Sequence, residues 1–168
     1  MNFIDKIKNV FTGDSLDDVF IEKLTPVDIA SEIETDRIRF ENHNIEKCIR
    51  ATKQLKLNHI RIQTDNLDFL NDNRLRHIKG IIIKNEISDL SPLFNLQELT
   101  HLHLPKNTKT DFDFNNFKKL IYLGGELPKN YKNFEYLTNL KYIQLFGYKK
   151  SDLSEFSKFK RLKKLWLY

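Results

Sequence analysis

The chain has 168 residues, with 28 Lys and Arg against 23 Asp and Glu for a net charge of +5, and 40% of its residues are hydrophobic; that length allows one domain or one short repeat array. The lone Cys48 excludes a disulfide framework and a cysteine-based zinc cluster, and it suits a reducing, cytoplasmic setting. No apolar run approaches the roughly 20 residues that cross a bilayer, and Asp5, Lys6 and Lys8 interrupt the apolar stretch near the start, so the reading is of neither signal peptide nor anchor.

Residues 1–34 differ in pattern from the rest of the chain. Phe3, Ile4, Ile7, Val10 and Phe11 share one helical face that Gly13 ends, and Leu16, Val19, Phe20 and Leu24 predict a second short helix before Pro26. This segment holds three Lys and eight acids, a net of −5, whereas residues 99–168 hold fourteen Lys or Arg and six acids, a net of +8. Residues 1–34 are expected to form a helical cap over the first core layer of the domain at 35–168.

From residue 35 onward an apolar pattern with spacing 1, 4, 6 recurs: Thr35-Ile38-Phe40, Leu57-Ile60-Ile62, Ile78-Ile81-Ile83, Leu99-Leu102-Leu104, Leu120-Leu123-Gly125, Leu140-Ile143-Leu145 and Leu162-Leu165-Leu167. The starts lie 22, 21, 21, 21, 20 and 22 residues apart, and 19 of the 21 slots are apolar, where composition alone would fill about 8. Each unit predicts a short strand and a return. The first return carries Ile45, Cys48, Ile49, Thr52 and Leu55 at α-helical spacing behind Asn44. Later returns place apolar residues at every third position, which suits 3₁₀ turns: Leu90, Leu93, Leu96 and Leu99; Phe114, Phe117 and Leu120; Leu153, Phe156, Phe159 and Leu162. The phenylalanines are therefore expected to form a buried convex spine.

This core and period resemble the leucine-rich repeats, and the stretch IIIKNEISDLSPLFNLQEL from Ile81 to Leu99 resembles the bacterial internalin-type repeat, with Ser151-Asp152-Leu153-Ser154 echoing it. The resemblance covers residues 35–168. Asn107 stands where the repeat ends its strand motif; Asn44, Asn66 and Asn85 are one residue off, and Pro128 and Tyr148 replace it. What it implies is an α/β solenoid of about six repeats plus a terminal strand, parallel strands lining a concave face, and a non-catalytic protein-binding role without cofactors. An inhibitor or immunity factor is one form that role takes by analogy.

Strand side chains alternate, so the third, fifth and seventh positions of each unit line the concave face. The third positions are Arg37, His59, Gly80, His101, Tyr122, Tyr142 and Lys164; the fifth are Arg39, Arg61, Ile82, His103, Gly124, Gln144 and Trp166; the seventh include Glu41, Gln63, Glu126, Phe146 and Tyr168. Only two of these 21 positions are carboxylates, so the partner expected is a protein with an acidic surface, met by basic and aromatic side chains of the kind that dominate interfaces. Tyr122, Tyr142 and Trp166 are expected to lie outside the core. His101 and His103 share a face but lack further ligands, His59 being two strands and about 9 to 10 Å away, so no metal is expected. Neither converging carboxylates nor a serine nucleophile occupies this face, and Gly124-Gly125 reads as a flattened or bulged repeat. Nucleic acid is the alternative partner, through Lys118, Lys119, Lys149, Lys150, Lys158, Lys160, Arg161, Lys163 and Lys164. The strand at Leu165-Trp166-Leu167 is expected to offer an edge for self-association.

Overall fold

In the computed structural model, residues 19–24 and 35–168 are described. Ten strands follow in chain order: β1 Phe20–Leu24, β2 Thr35–Glu41, β3 His59–Gln63, β4 Gly80–Ile83, β5 His101–Leu104, β6 Phe112–Asp113, β7 Tyr122–Gly125, β8 Tyr131–Lys132, β9 Tyr142–Leu145 and β10 Lys164–Leu167. Eight of them form one sheet in the order β1-β2-β3-β4-β5-β7-β9-β10, and β6 pairs with β8 on the return side. From β2 to β10 every pairing in the large sheet is parallel.

The register reproduces the repeat. Ile38 pairs with Ile60, Ile60 with Ile81, Ile81 with Leu102, Leu102 with Leu123, Leu123 with Ile143 and Ile143 with Leu165. The first six of these are at most 1% exposed, each worth about 1.5 to 3 kcal/mol relative to an exposed position. One layer of this ladder lies in each unit, so the core is a row of layers that touch only their neighbours.

The returns follow the predicted split. Helix α1, Ile45–Gln54, buries Cys48, Ile49 and Thr52, while later returns are built from 3₁₀ turns, two in the next return at Asp68–Asn71 and Asn73–Leu75 and single ones at Ser91–Asn95, Phe114–Phe117 and Ser154–Lys158. A shared device starts several of them: Asp72, Asp89, Asp113 and Asp152 each accept a hydrogen bond from the backbone N–H two residues on, at 2.8 to 2.9 Å. In both Ser-Asp-Leu-Ser segments the second carboxylate oxygen also takes the serine hydroxyl, at 3.1 Å from Ser91 and 2.7 Å from Ser154. The echoed motif is thus a turn that closes on its own aspartate. The phenylalanine spine is buried, with Phe112 and Phe117 stacked at 5.3 Å and Phe134 edge-on to Phe159 at 5.0 Å. Leu153 departs from it, being 47% exposed, whereas Leu90 at the same position of the matching Asp89 turn is 0% exposed.

Two expectations about the backbone change. Residues 20–24, read as part of a second helix, form β1, which pairs antiparallel with β2. Five residues are too few to hold a helix alone, whereas as a strand the segment turns Ile21 to the core beside Ile38, sets Phe20 and Glu22 over Arg39 and Arg37, and satisfies its backbone groups on the edge of β2. The first cap helix, at Phe3 to Phe11, and Leu16 lie outside the described residues. Gly124 and Gly125 hold the regular register in β7, opposite Gln144 and Leu145; a Cβ on Gly125, whose φ is +96°, would meet the Leu104 carbonyl oxygen at 2.0 Å. There the glycine allows close approach of two strands and not a bulge. The asparagines form no continuous buried ladder among the described residues: Asn44 is buried, Asn85 is half-buried, and Asn66 and Asn107 are exposed.

Candidate functional site

The sheet register brings the predicted columns together. His59 stands opposite Gly80, Gly80 opposite His101, His101 opposite Tyr122, Tyr122 opposite Tyr142 and Tyr142 opposite Lys164. The next column runs Arg39, Arg61, Ile82, His103, Gly124, Gln144 and Trp166. What changes is how deep these side chains lie.

At the β1–β3 end the surface is ionic. Antiparallel pairing sets Phe20 opposite Arg39 and Glu22 opposite Arg37. The Glu22 carboxylate accepts from Arg37 Nε at 2.8 Å and from Arg61 Nη1 at 3.2 and 3.3 Å, and it lies 3.6 Å from Arg39 Nη1. Arg39 also meets Glu41 at 3.1 Å and lies 4.0 Å over the Phe20 ring. Burial works to raise the Glu22 pKa, but the Arg37 hydrogen bond and the charges of Arg61 and Arg37 outweigh it and hold the carboxyl below its ordinary value. Sequence reasoning misses Glu22 and Phe20 as site residues because they lie outside the repeat. The signal available in the sequence is the net charge of −5 on residues 1–34 just ahead of a first unit that carries Arg37 and Arg39.

The middle of the face is a row of packed rings. His59 and His101, two strands apart, come to 5.4 Å between ring centroids, not the 9 to 10 Å that strand spacing alone suggests. The reason is Gly80 between them. The His59 ring leans into the missing side chain's place, so that a Cβ on Gly80 would sit 1.9 Å from His59 Cδ2. His101 continues the row to Tyr122 at 6.2 Å. Gly124 works in the same way: the Tyr122 hydroxyl crosses it to donate to Gln144 Oε1 at 3.1 Å, and His103 leans over it toward Phe146, ring to ring 6.2 Å.

Tyr122 and Tyr142, expected outside the core, are 1% and 4% exposed, forming with Ile82 a second apolar cluster against which Trp166 packs. The register is sound. Their burial comes from neighbours on the same face, not from the main core on the other side of the sheet. His59 donates from Nδ1 to the Asn58 side chain and His101 Nδ1 lies 2.9 Å from the Thr100 hydroxyl, while both Nε2 atoms are buried without a partner among the described residues. Burial pulls the pKa of His59, His101 and His103 down to about 4, aided by Lys79 and Arg37 at His59, by His59 at His101 and by Lys84 at His103. All three rings are neutral at pH 7.

Toward β10 the face is aromatic and open. Phe146 and Tyr168 stack at 5.1 Å, Tyr168 is 64% exposed, and exposed Lys164 lies 5.8 Å over the Trp166 ring. Trp166, Gln144 and Phe146 are half-buried. On the loop edge a cavity of about 660 Å³ is lined by Lys129, Lys132, Lys150 and Tyr131 together with Asp111, Phe112 and Asn130. Lys118, Lys119, Lys158, Lys160 and Arg161 lie on return segments, where Lys119 pairs with Glu98 at 2.6 Å.

Among the described residues no group of three or more His, Cys, Asp or Glu side chains could hold a metal ion. No helix among them is long and apolar enough to cross a membrane. Cys48 is buried, and burial with the nearby Glu41 charge pushes its thiol up to about 12, leaving almost no thiolate at neutral pH.

No family model matches the sequence, and no curated protein matches it. Among solved structures 17 chains match. One is the crystal structure of an internalin C2 from Listeria monocytogenes, 24% identical with a TM-score of 0.41, the match covering 61% of this chain and 56% of that one. The repeating parallel-strand fold is carried by the strand register and the buried motif positions themselves.

Proposed function

We propose that this chain is a non-catalytic protein-binding module that works through its concave sheet face. The observation that carries this reading is the pairing on one surface of an arginine cluster at β1–β3 with exposed and half-exposed aromatic rings at β9–β10. Arginine, tryptophan and tyrosine bury much area while keeping a polar handle, which is why they dominate binding energy at interfaces. The histidine and tyrosine rows between them are already packed, so they stiffen the platform and leave contact to its two ends. Occlusion of a partner, as by an inhibitor or immunity factor, fits a small rigid surface of this kind, and the lone buried Cys48 fits a reducing cytoplasm.

Affinity capture from native lysate with the immobilised chain, compared with Trp166→Ala and Phe146→Ala chains, tests the reading. A protein retained by the parent and lost from both variants supports it; equal retention by all three refutes it. The lysine-lined cavity beside Tyr131 favours a second reading, nucleic-acid binding, which requires the logarithm of affinity to fall steeply and linearly with the logarithm of salt concentration.

A further inference from the structure

Among the described residues, the arginine cluster holds more positive charge than the carboxylates in contact with it neutralise. Three guanidinium groups, Arg37, Arg39 and Arg61, converge on one carboxylate, Glu22, with Glu41 touching Arg39 alone. Among the described residues that leaves one positive charge in excess, on side chains that are only 7 to 25% exposed. Arg61 Nε is buried and has no hydrogen-bond acceptor among the described residues. Buried guanidinium donors call for acceptors, and a planar carboxylate fits their fork with two parallel bonds. The carboxylate already present comes from β1, a strand of five residues at the edge of the sheet.

We propose that Arg37, Arg39 and Arg61 form a carboxylate receptor for an acidic segment of a protein partner, and that Glu22 occupies it as a built-in stand-in. This rests on the concave-face reading above and adds the chemistry of what binds at one end of it. The occupant is acidic because the excess charge is positive. It is carboxylate in form because the receptor already holds one: both Glu22 oxygens lie on Arg61 Nη1, at 3.2 and 3.3 Å, and one of them also accepts from Arg37 Nε at 2.8 Å. Glu22 then competes with the incoming group, so its removal strengthens binding.

The probe is a fluorescein-labelled hexaglutamate peptide titrated against the full chain at low salt, read by anisotropy. Glu22→Gln is expected to tighten binding about fivefold to tenfold, and Arg39→Gln and Arg61→Gln each to weaken it at least tenfold, with circular dichroism confirming the fold of every variant. If Glu22→Gln does not fold, Glu22→Asp, which withdraws the carboxylate by one methylene, is expected to give a smaller gain. Unchanged or weaker peptide binding in a folded Glu22 variant overturns the stand-in. An oligothymidylate of equal charge that binds as tightly and depends equally on Arg39 and Arg61 overturns the carboxylate assignment in favour of phosphate. A captured partner that survives Arg39→Gln and Arg61→Gln but is lost with Trp166→Ala retires the receptor while keeping the concave-face reading; one that survives all three retires both.

Discussion

Acidification should weaken the fold well before its carboxylates protonate, through the packed histidines. His59, His101 and His103 are held at about 4 in the fold against an ordinary value of 6.5. As pH falls from 6.5 toward 4, the unfolded chain takes up protons that the native chain refuses, so stability falls with pH across that window and is fully present above it. A pH of 5 lies about 1.5 below the ordinary imidazole value, which at 1.36 kcal/mol per pH unit gives about 2 kcal/mol for each fully buried ring. His59 and His101 together give about 4 kcal/mol, and half-buried His103 adds less. The Asp72, Asp89 and Asp113 carboxyls, held below 3.8 mainly by hydrogen bonds, and Glu22, held below 4.5 by its arginines, contribute chiefly below this window. Urea unfolding at pH 8 and pH 5 is the assay, and with a slope near 2 kcal/mol/M the midpoint is expected to fall by about 2 M. A His101→Gln chain should start less stable but lose about 2 kcal/mol less over the same interval. A parent midpoint that moves by less than about 0.5 M would falsify the account, as would a His101→Gln chain with the full slope.

Other expectations come from burial. Leu123→Ala, at a position 0% exposed, should cost about 2 to 5 kcal/mol by thermal or urea unfolding, whereas Leu153→Ala should cost under about 0.5 kcal/mol at its exposed site; equal losses at the two would undo the placement of the return. Gly80→Ala drives a methyl into the His59 ring and should cost about 1 to 3 kcal/mol, with the loss largely recovered in a Gly80→Ala, His59→Ala chain if the clash is its cause. Tyr122→Phe should lose about 0.5 to 1.5 kcal/mol through the bond to Gln144, measured by urea unfolding, and no loss would mean that the hydroxyl is equally satisfied elsewhere. Trp166→Ala should weaken capture of a partner by about 1 to 3 kcal/mol in a binding titration, and the assignment of the aromatic end fails if affinity is unchanged.

How much of this is legible in the sequence differs by layer. The ladder from Ile38 to Leu165 is readable in full, because a 20- to 22-residue period with apolar triplets admits few other arrangements, and the parallel register follows from it. The Asp89 and Asp152 turns show as an echoed motif, although their hydrogen bonds do not. The burial of Tyr122 and Tyr142 is not readable from strand alternation, which says which face a side chain takes but not whether its neighbours cover it. That cover depends on which residue stands one strand over, and a glycine in that place lets a ring lie flat across it. Glu22 escapes for a related reason: a repeat search sees only what repeats, and β1 joins the sheet once, antiparallel, by pairing with an edge. Leu153 shows the limit of spacing alone, since a period of three places a residue on a ridge without saying where the ridge turns to solvent.

The separation of the concave face into an ionic end and an aromatic end gives the molecule a direction of reading. From β2 to β10 there are six strand steps, about 29 Å at 4.8 Å each, roughly the length of eight or nine extended residues. A partner lying across the strands in one orientation meets guanidinium groups with its acidic portion and rings with its apolar portion. Turned end for end, the same partner would leave the arginines against apolar surface and draw its apolar portion away from Phe146, Trp166 and Tyr168, while exposed Lys164 over the Trp166 ring would still meet its carboxylates. The polarity of the platform thus favours one orientation chiefly through what the arginine end loses in the reversed complex.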